Sequence, residues 1–351
     1  MNRKFNIQDL ARENVKRLKP YSSARDEFKG LDTDMVFLDA NENPFQNGVN
    51  RYPDPQQRSL KSILADKKGV GQDHILLGNG SDEVLDLIFR AFCEPHKDNI
   101  ITLPPTYGMY KVLAETNAVE NREVLLGVDY QPQVEKILHA MDTNTKLLFL
   151  CSPNNPTANS FASGHIESLL RKFNGLVIID EAYIDFSPFQ SWLNRLKEFP
   201  NLVVTQTLSK AYGMAGIRLG ICYGSPAIIR ILNKIKPPYN VNELTQQKAK
   251  ERVLDQIKVG QEIDLILSER KRMITELSKI SLIEQVYPSN ANFVLVKVDD
   301  AGRRYNQLLG KGIVSRNRST QPLCENTLRF TVGTSDENNK LILALKELSN
   351  G

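Results

Sequence analysis

Residues 202–220, LVVTQTLSKAYGMAGIRLG, hold a strand and a turn around which the other segments of the chain fall into place. Leu202 to Thr205 is an apolar, β-branched run of strand length. Thr207-Leu208-Ser209-Lys210 follows, and then a loop punctuated by Gly213, Gly216, Arg218 and Gly220. The pattern puts Lys210 just past the C-terminal end of a buried strand, the edge where open α/β sheets gather their ligands. Desolvation there disfavours the ammonium form, and a neutral amine can attack a carbonyl and hold it as a Schiff base. Arg218 sits among small residues that let the backbone approach an anion. A Ser-Lys pair by itself is usually a solvated lysine beside a turn, so the weight rests on what surrounds it.

Two earlier strands end in the same way. Leu147 to Cys151 runs into Ser152-Pro153-Asn154-Asn155-Pro156-Thr157, and Leu176 to Ile179 into Asp180-Glu181-Ala182-Tyr183. Apolar runs at such intervals, with room for a helix between them, read as successive βαβ units. Their continuous apolarity means that both sheet faces are buried. Right-handed crossovers then bring the strand ends to one edge, so Asn155, Asp180, Tyr183 and Lys210 converge. Upstream, Ile75 to Leu77 is a strand, and Gly78-Asn79-Gly80-Ser81-Asp82-Glu83 turns into an apolar helix from Val84 to Cys93, with Ser81 or Asp82 as its N-cap. Such a turn suits a phosphate. A strand from Asn99 to Leu103 leads to Pro104-Pro105-Thr106-Tyr107-Gly108 and a helix from Met109 to Glu115, which places Tyr107 at the same edge.

The flanks are less informative. Ile7, Leu10, Val15 and Leu18 mark a short amphipathic arm whose apolar face must pack on the C-terminal part of the chain or on another subunit. Met35 to Leu38 reads as a short strand before a long polar loop to Pro55. The alternation stops near Pro237-Pro238; long charged helices and strands at 293–298, 312–315 and 327–332 follow. The expected layout is an arm (1–34) joining the small domain, a large α/β domain (35–238) with a mostly parallel sheet, and a smaller α+β domain (239–351).

Composition excludes several classes. Of 351 residues, 45 are basic and 41 acidic, a scattered excess that gives no nucleic-acid footprint. Cys93, Cys151, Cys222 and Cys324 lack metal-ligand spacing, as do the four histidines, so no metal site is expected. With no apolar run of membrane-span length, a soluble cytoplasmic protein is expected.

One group answers all the demands of this edge. A buried strand-end Asp needs a partner, such as a protonated ring nitrogen. The lysine asks for an aldehyde, and the turn with Arg218 asks for a phosphate ester. Pyridoxal 5′-phosphate (PLP) offers all three. The lysine, once released from the cofactor, can move a proton as general base and acid.

The sequence resembles the fold-type I PLP-dependent aminotransferases (the aspartate aminotransferase-like fold), and within them the histidinol-phosphate aminotransferase subfamily. The resemblance covers nearly the whole chain. It is carried by PYSSAR (20–25), LDANENP (38–44), RYPDP (51–55), GNGSDE (78–83), PPTYGMY (104–110), SPNNPT (152–157), DEAYIDF (180–186), TLSKAYGMAGIRLG (207–220) and LRFTVGT (328–334). It implies that Lys210 is the Schiff-base lysine, that Asp180 holds the pyridinium, that Asn155 and Tyr183 contact the ring hydroxyl, and that Tyr107 stacks on the ring. Gly80, Ser81, Asp82, Thr207, Ser209 and Arg218 would surround the phosphate, Asp82 chiefly through its backbone N–H. Tyr52 would reach the cofactor phosphate of a neighbouring subunit in a homodimer. Tyr21, Arg316 and Arg329 would contact the substrates, histidinol phosphate and 2-oxoglutarate; the arginine pair suits a phosphate or a carboxylate. Arg318 lies close by, so a merely solvated side chain is the plain alternative for either of them. One departure is Ala158, where the family usually has Gly. Rival readings on the same scaffold are a decarboxylase of a phosphorylated amino acid, an aromatic aminotransferase and a PLP-binding regulator. The regulator would need an added DNA-binding module, for which there is no room before residue 20.

Overall fold

A computed structural model describes residues 6–20 and 36–350. Seven strands form the larger sheet: β1 (Ile75–Asn79), β2 (Asn99–Thr102), β3 (Glu120–Glu123), β4 (Thr145–Cys151), β5 (Leu176–Asp180), β6 (Leu202–Thr207) and β7 (Leu219–Gly224). Their order is β1-β7-β6-β5-β4-β2-β3. Neighbours run parallel except at β7, which is antiparallel to both β1 and β6. β7 already starts at Leu219, inside the stretch to Gly220 whose glycines suggest a loop.

The apolar runs are continuous because both faces are covered. Leu147, Phe149, Ile178 and Val203 pack toward the helices Gly80–Phe92, Met109–Thr116 and Pro226–Ile235. Leu148, Leu150, Val177, Ile179 and Val204 pack toward Arg58–Lys68, Val134–Ala140 and Ser163–Lys172. A second sheet, in the order β10-β11-β9-β8, combines β8 (Ile283–Val286), β9 (Phe293–Val298), β10 (Arg316–Asn317) and β11 (Thr327–Thr331), all antiparallel. Its core joins Val294, Val296, Leu328 and Phe330 to Met273, Leu277, Leu308 and Leu345 on the flanking helices.

Four expectations change. The second core begins later than Pro237-Pro238: Val241, Ala249, Val253 and Val259 still belong to the large core, whereas Met273 and Leu277 belong to the small one. The Gln256–Leu277 helix therefore spans both units. The described part of the arm does not join the small domain. Ile7, Ala11 and Val15 bury against the Gly80–Phe92 and Pro226–Ile235 helices, and Arg12 donates to the Arg90 carbonyl (3.1 Å) and to Glu94 (3.3 Å). Val36–Leu38 is not a strand: Val36 and Leu38 are 81% and 88% exposed, and among the described residues no strand pairs with them. The short strand near 312–315 lies instead at Arg316–Asn317, the residues that face β11.

Candidate active site

The site is built where β4, β5 and β6 end. Their parallel register puts Cys151, Asp180 and Thr205 side by side. Asp180 is 3% exposed. Its carboxylate accepts from the Tyr110 hydroxyl (2.7 Å), the Thr205 hydroxyl (3.2 Å) and the Ala182 N–H (3.3 Å). All three donors are neutral, and among the described residues no cation pairs with it. Burial therefore raises its pKa, although these bonds oppose the rise. Tyr110 is itself wholly buried, stacked on Phe149 with ring centroids 4.8 Å apart. The sequence pattern marks neither Tyr110 nor Thr205 as a site residue. The available signal was a tyrosine in an apolar helix, whose hydroxyl needs a partner when buried.

Lys210 stands three residues past β6, with its ammonium 5.7 Å from the centre of the Tyr183 ring. Its pKa is lowered, first by desolvation and then by the Arg329 guanidinium, while Asp180 works in the opposite direction. The small domain supplies Arg329 from β11. Arg329 donates to Asn155 Oδ1 (2.5 Å), and its guanidinium lies 5.1 Å from the Phe293 ring centre. Burial brings the Arg329 pKa down to about 10, helped by Arg318. The Tyr183 hydroxyl, buried against Phe293, is pushed up.

The glycine turn packs beside this edge. The helix begins at Gly80 with Asn79 as its N-cap, not at Ser81 or Asp82 as expected, and Glu83 accepts from the Asn79 N–H instead. Gly80 has φ +78° and donates to the Arg218 carbonyl (3.0 Å). A Cβ on Gly220 would collide with the Gly80 backbone, so β7 approaches the helix start only through glycine. Arg218 has the left-handed φ of 54°, a strained choice for a side-chain-bearing residue. Its guanidinium lies 3.6 Å from Asp82, whose carboxylate also accepts from the Tyr107 hydroxyl (3.1 Å). Asp82 is thus turned toward a cation and a hydroxyl, and the first-turn N–H groups of the helix have no intrahelical acceptors. Thr207 Oγ donates to the Leu219 carbonyl (3.1 Å) and accepts from the Ser209 N–H (3.1 Å), which ties the lysine loop to β7.

The remaining residues lie further out. Arg316 is exposed and pairs across strands with Arg329. Tyr52 stacks on Tyr239 (4.6 Å) and lines a surface cleft with Ala40, Glu42, Asn242 and Leu244, apart from Lys210. Tyr21 lies outside the described residues. Ala158 takes φ 65° and accepts from the Asn290 N–H (2.7 Å), so the turn keeps a glycine-like shape at a cost of about 1 kcal/mol. Asn155 stays at the site.

These groups fit PLP. A buried carboxylate without a cation suits a protonated ring nitrogen, the depressed lysine suits an aldehyde, and the turn with Arg218 suits a phosphate. Replacing Arg329 by Gln should raise the Lys210 pKa, since it removes the second largest cause lowering it. The amine is reactive above its pKa, so the pH profile of PLP uptake by the apoprotein should move to higher pH. An unmoved profile in stopped-flow absorbance would contradict this electrostatic coupling.

The fold and site describe an aminotransferase, and similarity agrees. Residues 27–345 match the aminotransferase class I and II family. The chain is 68% identical to the histidinol-phosphate aminotransferase of Flavobacterium johnsoniae, over 98% of this chain and 99% of that one. The structure of the histidinol-phosphate aminotransferase from Clostridium acetobutylicum matches with a TM-score of 0.80 at 27% identity, over 86% of this chain and 91% of that one. An L-threonine-O-3-phosphate decarboxylase from Porphyromonas gingivalis also matches, with a TM-score of 0.72 at 22% identity over 86% and 92% of the two chains, so fold alone does not separate the two reactions. The chain belongs to the class I and II aminotransferases, and within them to the histidinol-phosphate aminotransferase family.

Proposed function

We propose that this chain transfers the amino group of histidinol phosphate to 2-oxoglutarate, giving imidazole acetol phosphate and glutamate. The observation that carries the reading is the meeting of Lys210 and Asp180 at the strand-end edge of the large sheet with Arg329, which the small domain brings to Asn155. PLP supplies a carbonyl for the amine and a ring that takes up electron density as Cα loses its proton. Asp180 would hold the ring nitrogen protonated, Asn155 and Tyr183 would contact the ring hydroxyl, and Tyr107 would stack on the ring. Gly80, Ser81, Asp82, Thr207, Ser209 and Arg218 would receive the phosphate. With the cofactor bound, Lys210 Nζ would serve as general base for the substrate Cα proton and then as general acid. Arg316 and Arg329 bind the phosphate of the donor and then a carboxylate of the acceptor, and Tyr21 contacts the donor. Tyr52 serves the neighbouring site of a homodimer. Its half-exposed ring and the exposed Val36, Leu38 and Phe45 on the same segment support that reading.

The test is a pair of half-reactions followed by visible absorbance. Histidinol phosphate without keto acid should convert the lysine-bound PLP band, and 2-oxoglutarate should restore it. Conversion by aromatic amino acids alone, or release of carbon dioxide from a phosphorylated amino acid, would overturn the proposed substrate or reaction.

A further inference from the structure

Among the described residues, nine buried side-chain polar atoms have no hydrogen-bond partner. Five of them lie in one stretch: Ser315 Oγ, Arg318 Nε, Ser319 Oγ, Gln321 Oε1 and Arg329 Nε. Buried polar groups are normally satisfied, so such a stretch, whose Arg329 lies close enough to Lys210 to perturb it, points to a ligand. Arg318 stands out. It is half-buried whereas Arg316 is exposed. Its side chain makes no hydrogen bond or ion pair among the described residues, yet it lies close enough to Tyr183, Arg316 and Arg329 to perturb them or be perturbed by them.

The loop that carries Arg318 is firmly held. The Arg318 N–H donates to the Thr327 carbonyl and its carbonyl accepts from the Gln321 N–H, both at 2.9 Å. Leu323 and Asn326 take left-handed φ values of 61° and 54°, and the large domain grips the loop through the Tyr130 hydroxyl on the Leu323 carbonyl (2.8 Å). Three guanidiniums held near one another repel, and no acid neutralises them in the described residues. The cost is intelligible if an anion of high charge arrives.

The geometry points to Arg318 as a third anion-binding arginine, selective for the phosphate monoester of the donor. This rests on the aminotransferase reading above. A carboxylate has one charge and two oxygens, which one forked guanidinium satisfies. A phosphate monoester has nearly two charges and three terminal oxygens at neutral pH. Arg316 and Arg329 suffice for the keto acid; the third fork matches the phosphate.

The variants are Arg318→Gln and Arg318→Lys, studied as holoenzymes. Arg318→Gln should raise KM for histidinol phosphate at least about tenfold, the loss of one charge-assisted bond. The kcat and the KM for 2-oxoglutarate should stay within about threefold. Activity on unphosphorylated histidinol should be unchanged. Arg318→Lys should recover part of the loss, because it keeps the charge and loses the fork. Inorganic phosphate should raise the Tm of the wild-type holoenzyme more than that of Arg318→Gln. Equal changes for both substrates, or no change for the donor, would overturn the proposal. Should Arg318→Gln not fold, Arg318→Lys carries the same comparison: a donor-only rise in KM supports the role, and unchanged or parallel values reject it. A wild-type enzyme that leaves histidinol phosphate untouched sinks the functional reading instead, and the phosphate Tm comparison still judges Arg318.

Discussion

Replacing Lys210 by Ala should lower transamination by at least about four orders of magnitude, since it removes both the covalent anchor and the proton carrier. The protein should still bind PLP, because the Gly80 turn, Thr207 and Arg218 do not depend on the lysine side chain for their positions. Borohydride should no longer fix the cofactor to the chain, which mass spectrometry reads directly. Lys210→Arg should be as inactive as the alanine variant. It keeps a cation over the Tyr183 ring, but a guanidinium does not lose its proton and forms no Schiff base. The two variants thus separate charge from nucleophilicity. Activity above about one per cent of wild type in either would assign the proton transfer to another group.

The large layer and the ends of its central strands were legible because β4, β5 and β6 are buried almost throughout. Their apolar runs stop abruptly, and polar residues follow at the edge that holds the site: Asp180 ends β5, Asn155 stands in the polar turn after β4, and Lys210 lies three residues past β6. What stayed hidden depends on contacts between distant segments. Tyr110 looks like one more apolar position of its helix until the structure sets its hydroxyl against Asp180 across 70 residues of sequence. The direction of β7 depends on its pairing with both β1 and β6. Arg318 and Arg316 are two residues apart, and only the hydrogen-bonded loop from Arg318 to Thr327 shows which of them is held inward. The arm was read as amphipathic, but sequence could not say which face received it; the Gly80–Phe92 and Pro226–Ile235 helices do.

Asp180→Asn should lower kcat by about three orders of magnitude, while the apoprotein becomes no less stable. The activity term follows from charge: a neutral amide cannot hold a ring nitrogen protonated. The stability term has the opposite sign. In the apoprotein the Asp180 pKa is raised by burial, against neutral donors only. The folded chain therefore retains a proton that the unfolded chain releases, from the ordinary carboxylate range upward. Stability must fall as pH rises through that window and level off above the raised pKa. Glu181 next door, pushed up to about 7 by its own burial, adds a slope of the same sign and is present in both proteins. The difference between the wild-type and Asp180→Asn curves of Tm against pH therefore isolates Asp180. PLP should flatten the wild-type curve, because a pyridinium compensates the carboxylate, and should leave the Asn variant's slope nearly as it was. Tyr110→Phe is the control in the other direction. Losing that hydroxyl, a charge-assisted bond worth about 1.5–3 kcal/mol, should raise the Asp180 pKa further and carry the falling limb to higher pH. If wild type and Asp180→Asn trace parallel curves with and without PLP, the carboxylate is not the partner of the ring.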